Sequence, residues 1–205
     1  MNMTKDRTNG IYNKVFKRIL DIFFSSISII LLSPIIVLFL IINCFFTKFH
    51  PVFVQKRCGA NQKPFHILKM RTLKLESPNY EEKCSHKDYT KIGFFLRRTH
   101  IDELLQLLNI FIGQMSFIGP RPIICTLYEQ INKRVEDGTI KLRPGLSGLA
   151  QVNERDIELT QMEKCAFDKE YLEKLSFGFD TRIVFKSIGV VFVNLFRKRV
   201  KKEND

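Results

Sequence analysis

The segment Arg97-Arg98-Thr99-His100-Ile101-Asp102-Glu103 sets two adjacent carboxylates three residues beyond two arginines, at the predicted start of a helix. Successive helical residues are about 100° apart, so both carboxylates point away from the Ile101/Leu104/Leu105 stripe, outward or into a cleft. A carboxylate held beside guanidinium groups at the positive end of a helix stays ionised and can act as a nucleophile, while its neighbour can hold a divalent cation. A phosphoryl centre brought there by Mg²⁺ and arginine would be open to in-line attack with its charge neutralised. A plainer explanation covers the same residues. Thr99-x-x-Asp102 has capping spacing, acidic residues in a first turn complement the helix dipole, and on spacing alone this explanation is favoured.

Two further segments pair arginine with proline and glycine: Gly119-Pro120-Arg121-Pro122, and Leu142-Arg143-Pro144-Gly145-Leu146-Ser147-Gly148. Proline fixes the backbone and glycine permits close approach, so each arginine is expected on a stiff support suited to bidentate phosphate contacts. Taken singly, each is more readily ordinary turn chemistry with solvated arginines; two of them beside an acidic pair shift the balance toward phosphate handling. GxxxxGK[ST] and GxGxxG are both absent. The five cysteines form no CxxC pair and the four histidines no HExxH, which excludes the usual zinc and disulfide patterns and fits a reducing compartment. A net charge of +12 calls for an anionic partner: nucleic acid, lipid headgroups or a phosphorylated substrate.

The elements that must position these residues begin with a membrane segment. Ile22 to Phe46 carries no charge and has Ser33-Pro34 at its midpoint. As a helix it is about 37 Å long, enough to cross a hydrocarbon core of about 30 Å. Proline frees a carbonyl that lipid cannot satisfy, and Ser33 is the local candidate to do so. Lysines and arginines lie on both flanks, which gives the positive-inside rule nothing to orient and favours a re-entrant hairpin over a kinked span. Val52–Arg57 and Phe65–Met70 predict a small β-hairpin, and Lys74–Thr90 a surface loop. Helices are expected at Ile101–Ile112 with Gly113 as C-terminal cap, at Ile123–Glu136, at Thr160–Lys174 with a Thr160/Glu163 capping box, and at Asp180–Phe196. The last is read as interfacial, ahead of the basic tail Arg197–Lys202, with a core helix as its alternative. The expected fold is therefore α+β, mainly helical, with a re-entrant membrane helix-break-helix, a small β-hairpin and amphipathic interfacial helices. It divides into a basic and membrane-entering segment (1–48), a catalytic domain (49–176), and an interfacial helix with its tail (177–205).

Arg97 to Asn109, Gly113 to Pro122 and Leu142 to Asn153, with Lys17 to Asp21 and Lys69 to Thr72, resemble the bacterial sugar transferase family in order and in sequence. These are monotopic polyprenyl-phosphate phosphoglycosyl transferases. The resemblance covers nearly the whole chain and places it with the small, single-domain members. It implies transfer of sugar 1-phosphate from a nucleotide-diphosphate sugar, usually a UDP-sugar, to a polyprenyl phosphate such as undecaprenyl phosphate, with release of UMP. It further implies Asp102 as the nucleophile of a covalent phospho-sugar intermediate and Glu103 as the Mg²⁺ ligand. Phosphate contacts fall on Arg97, Arg121 and Arg143, substrate-binding candidates on Gln151, Asn153 and Arg155, and a membrane break on Ser33 and Pro34. The expected partners are the two substrates, membrane lipids and downstream glycosyltransferases, with no role for nucleic acid; the expected location is the cytoplasmic face of the bacterial inner membrane. Leu149 stands where the family often has Trp, Glu154 where it has Gly, and Leu105 where it has Pro. The first two departures fall where donor choice is expected to lie. The competing readings are a non-catalytic basic adaptor for anionic lipid or nucleic acid, and a nucleotide-sugar hydrolase that needs no lipid acceptor. The sugar, the lipid length, the pathway and the oligomeric state stay open at this level.

Overall fold

The computed structural model describes residues 7–75, 86–154 and 159–196. A π-helical turn (Tyr12–Phe16) leads into α1 (Lys17–Phe46). Helical hydrogen bonding runs through Pro34, so the expected helix-break-helix is one continuous helical element here. The reason is local. Pro34 cannot donate to the carbonyl of Ile30, and the Ser33 hydroxyl donates to that oxygen instead, at 2.8 Å.

The hairpin forms as expected, each strand one residue longer: β1 (Val52–Cys58) pairs antiparallel with β2 (Pro64–Met70), in register from Val52↔Met70 to Cys58↔Pro64. Asn61 and Gln62 take left-handed backbone angles in its loop. A second, parallel pair joins β3 (Ser116–Ile118) to β5 (Gly145–Ser147). Ile123–Ile124, expected as the start of a helix, is instead a strand, β4, on the other edge of β1; its helix, α4, begins at Tyr128 and ends at Glu136 before the left-handed Gly138. The segment around Asp102 also differs from expectation. α2 (Gly93–Thr99) ends before it, a 3₁₀ turn (Ile101–Glu103) carries it, and α3 (Gln106–Ile112) comes next, capped by Gly113 at φ 91°.

α5 (Leu149–Asn153) precedes α6 (Gln161–Lys174), which opens with the predicted capping box: Thr160 and Glu163 each bond the other's backbone N–H. α7 (Phe177–Phe196) has one apolar side packed inward and one exposed. Ile183 is buried in a core with Leu142, Leu149, Val152 and Tyr171, while Phe177, Phe185, Ile188 and Phe192 are exposed.

Half of α1 is exposed, nearly all of it apolar, yet it touches the rest of the fold along its length. Ile29 and Leu32 pack on Phe65, Ile67, Leu107 and Met115; Ile36, Phe39 and Leu40 pack on Met70, Leu96 and Leu105. Polar contacts fasten both ends. Arg18 donates to the carbonyls of Ile110 (2.7 Å) and Phe111 (2.6 Å), Asp21 accepts from Ser116 Oγ and Phe117 N, and Lys17 pairs with Asp180. At the far end Asn43 donates to the carbonyls of Arg71 and Pro51.

Candidate active site

Arg97 and Arg98 lie in the last turn of α2, where cations suit the helix dipole. His100 then turns left-handed (φ 57°) and ends the helix. Thr99 does not cap the turn that carries Asp102; its hydroxyl donates back to Phe95 O and Leu96 O. The reversal brings the Asp102/Glu103 turn against the end of β2. There Lys69 Nζ lies 2.7 Å from Glu103 Oε1.

The two carboxyls differ sharply in environment. Burial pushes the Glu103 carboxyl up, but Lys69, Arg121 and His100 outweigh burial and hold it at about 2. Asp102 is 6 % exposed, and its Oδ1 has no hydrogen-bond partner. Burial first, then the Glu103 charge, pushes its carboxyl up to about 7 against the opposing pull of Lys69 and Arg97.

Arg97 itself is exposed, stacked on the Tyr89 ring and bonded to its hydroxyl at 2.9 Å. Arg121 lines two cavities together with Glu103: a polar one of about 20 Å³ and a cleft of about 650 Å³. The two arginine-proline segments form one support. Gly119 N donates to Ser147 O (2.9 Å) and Gly145 N to Pro120 O (2.8 Å). A Cβ on Gly119 would lie 2.4 Å from Arg143 O, and one on Gly145 2.2 Å from Gly119 N, so only glycine permits this contact. From behind, Arg134 donates to the Arg121 carbonyl.

Not every expected residue joins the group. Arg143 lines neither cavity beside Glu103; its charge acts on Arg18 and Asp21. Gln151 does line the cleft, with both amide atoms buried and without partners. Asn153 is exposed and donates to Leu149 O within its own helix. Arg155 lies outside the described residues. Ser33 and Pro34 are in mid-α1, and the helix continues through them rather than breaking there. Lys69 and Gln106 are site residues that motif reading missed. Lys69 could have been found, since it continues the inward alternation Phe65, Ile67 on β2, an unusual place for a lysine.

Among the described residues no group of three His, Cys, Asp or Glu side chains could cage a metal ion. Asp102 and Glu103 offer two carboxylates, one with a partnerless oxygen, which fits an ion whose remaining ligands come from substrate phosphates and water.

A third cavity, an apolar groove of about 550 Å³, runs between α1 and α7 and is lined by Leu20, Phe24, Val184 and Phe185. It shares Leu146, Ser147, Ser187 and Ile188 with the cleft. Ser147 and Ser187 hydrogen-bond across this junction at 2.6 Å.

Residues 12–194 match the family described as bacterial sugar transferase. The chain is 35 % identical over 192 residues to the UDP-glucose:undecaprenyl-phosphate glucose-1-phosphate transferase of Escherichia coli K12, covering 89 % of this chain and 41 % of that protein. A protein of the same name from Klebsiella pneumoniae is 37 % identical over 196 residues, with 91 % and 42 % covered. The exopolysaccharide production protein ExoY of Rhizobium meliloti is 32 % identical over 193 residues, 85 % of this chain and 84 % of that one. The chain thus spans about two fifths of the first two relatives and most of the third. With a match that covers the Asp102/Glu103 turn, the glycine-locked support and both flanking helices, the chain belongs to the bacterial sugar transferase family.

Proposed function

We propose that the protein transfers a sugar 1-phosphate from a UDP-sugar to polyprenyl phosphate, undecaprenyl phosphate in bacteria, and releases UMP as the first membrane step of glycoconjugate assembly. One observation carries the reading: a cleft bearing a carboxylate and arginine opens onto an apolar groove between two helices whose other faces are exposed hydrocarbon. A soluble phosphorylated donor and a lipid-borne phosphate need such a junction. The names of the relatives, which specify undecaprenyl phosphate and glucose 1-phosphate, point to the same chemistry.

In this reading the Asp102 carboxylate attacks the phosphorus next to the sugar, the bond to UMP breaks, and the electron pair leaves with UMP. The lipid phosphate then attacks the same phosphorus and expels the Asp102 carboxylate. Two steps through one residue let donor and acceptor use the cleft in turn. Asp102 lines neither cavity, so donor binding must draw its carboxyl out of burial. Arg97 and Arg121 neutralise the phosphates, and Gln151 offers unpaired amide groups to the donor. Mg²⁺ held by Glu103 would add charge neutralisation.

The same reading makes α1 re-entrant. Arg18 and Asp21 at one end and Asn43 at the other bond to the same domain, and a straight span would have to pull one set away. α1 then enters and leaves by the cytoplasmic face, 49–176 form the catalytic domain, and the exposed apolar side of α7 lies along the surface; the basic tail lies outside the described residues. A basic adaptor has no use for a buried, partnerless carboxylate oxygen. UMP release across a panel of UDP-sugars, with undecaprenyl phosphate and Mg²⁺, tests the reaction. Turnover is expected with at least one donor in the wild type and none with Asp102→Asn; turnover that ignores the lipid acceptor would instead mark a hydrolase.

A further inference from the structure

The small cavity beside Glu103 is lined by a residue whose hydrogen-bond donor has nothing to donate to. Gln106, the first residue of α3, is 2 % exposed, and its Nε2 is buried without a partner. Such a group carries its full desolvation penalty, and folded proteins keep few of them unless a ligand or water arrives. Around it stand Arg57, Lys69 and Arg121, cations from separate parts of the chain, with Glu103 the sole acidic residue in the lining. Arg57 reaches the site through hydrogen bonds to Pro122 O and Gln55 Oε1. At about 20 Å³ the cavity accepts one water-sized group and no more. It shares Glu103, Arg121 and Leu146 with the large cleft, so a phosphate lying in the cleft can place one oxygen in it.

We propose that this cavity is a phosphoryl-oxygen pocket, in which Gln106 Nε2 donates to one non-bridging oxygen of the donor's diphosphate while Lys69, Arg57 and Arg121 balance its charge. The inference rests on the phosphosugar transfer proposed above and adds a residue to it. Charge on that oxygen grows as the phosphorus–oxygen bond to the nucleotide breaks. A donor already fixed in place strengthens its bond at that moment without reorganising.

Gln106→Leu keeps the approximate volume and removes the donor. It is expected to slow UMP release about a hundredfold, as loss of one fixed oxyanion donor does. It should also weaken binding of inorganic pyrophosphate and UDP, read as ligand-induced thermal shifts on the full-length protein. The unliganded Tm should stay level or rise, because an unsatisfied buried polar group has been removed. Gln106→Met should repeat this pattern, and Gln106→Glu should bind pyrophosphate more weakly still by repelling it. Wild-type pyrophosphate affinity in Gln106→Leu would overturn the proposal, as would a fall in unliganded Tm that accounts for the lost activity, since either makes Gln106 a structural amide over a trapped water. The two readings fail separately. Gln106-dependent pyrophosphate binding without UMP release from any nucleotide sugar would remove the reaction and leave the pocket, whereas unimpaired UMP release by Gln106→Leu would remove the pocket and leave the reaction.

Discussion

Asp102 and Glu103 are neighbours in the chain whose carboxyls sit at opposite ends of the acid range, about 7 for the buried Asp102 and about 2 for the Lys69-paired Glu103. Between its ordinary 3.8 and about 7, folded Asp102 keeps a proton that the unfolded chain has lost. Its contribution to stability therefore falls as pH rises through that window. Asp102→Asn abolishes the slope and should raise stability at pH 8 by about 1–3 kcal/mol while ending turnover. Thermal unfolding of both proteins between pH 4 and pH 8, without metal, checks the sign. A wild-type protein that gains on Asp102→Asn as pH rises through this range would contradict the assigned burial.

Arg134 links the back of the site to the core, donating to the Arg121 carbonyl at 2.9 Å and to Asp168 Oδ2 at 2.6 Å. Both side chains of the ion pair are buried. Arg134→Ala strands the Asp168 charge and should cost about 3–5 kcal/mol. Arg134→Met with Asp168→Leu should recover most of that stability in denaturant titrations. Turnover should not recover in the double variant, because the Arg121 carbonyl still lacks its anchor.

The Ser33 hydroxyl stands in for the amide hydrogen that Pro34 lacks. Ser33→Ala should cost about 1 kcal/mol by leaving the Ile30 carbonyl unpaired in an apolar setting. Adding Pro34→Ala restores a backbone donor at the next position and should rescue the loss. Thermal unfolding in nanodiscs of the two single variants and the double variant gives the coupling directly.

Lys14 and Lys56 lie on opposite sides of α1 in sequence. Single cysteines placed there, in a background with the native cysteines replaced, should both be labelled from the cytoplasmic face of inverted vesicles and spared in sealed spheroplasts. Labelling from opposite faces would make α1 a span.

The hairpin is legible in the sequence because Phe65 and Ile67 alternate inward and Gly59 punctuates the chain. Thr160 and Glu163 announce their helix by a motif that acts within four residues. The helix start at Asp102 is misplaced by sequence for two physical reasons. Leu108, Phe111 and Ile112 are exposed, at 41 %, 43 % and 60 %, so part of the apolar stripe that suggests a core-facing helix faces outward. Periodicity does not distinguish lipid from core. The break itself falls on His100, a residue that does not advertise a left-handed turn as glycine would. Asp102, Glu103 and Arg121 stand out by their types, but spacing alone favours a helix cap and the site reading of them comes from the family resemblance. The lock of Gly119 on Gly145 depends on pairing between distant strands, and the unpaired amide of Gln106 depends on which side chains from other elements fail to reach it. Neither is written in local sequence.

The central claim is that Asp102 carries the sugar phosphate, and intact-protein mass spectrometry tests it most directly. Incubated with its UDP-sugar and Mg²⁺ but no lipid acceptor, the protein should gain the mass of one sugar phosphate, located by peptide mapping on Asp102 and lost when undecaprenyl phosphate is added. UMP release without any adduct, or an adduct that persists in Asp102→Asn, would contradict the account.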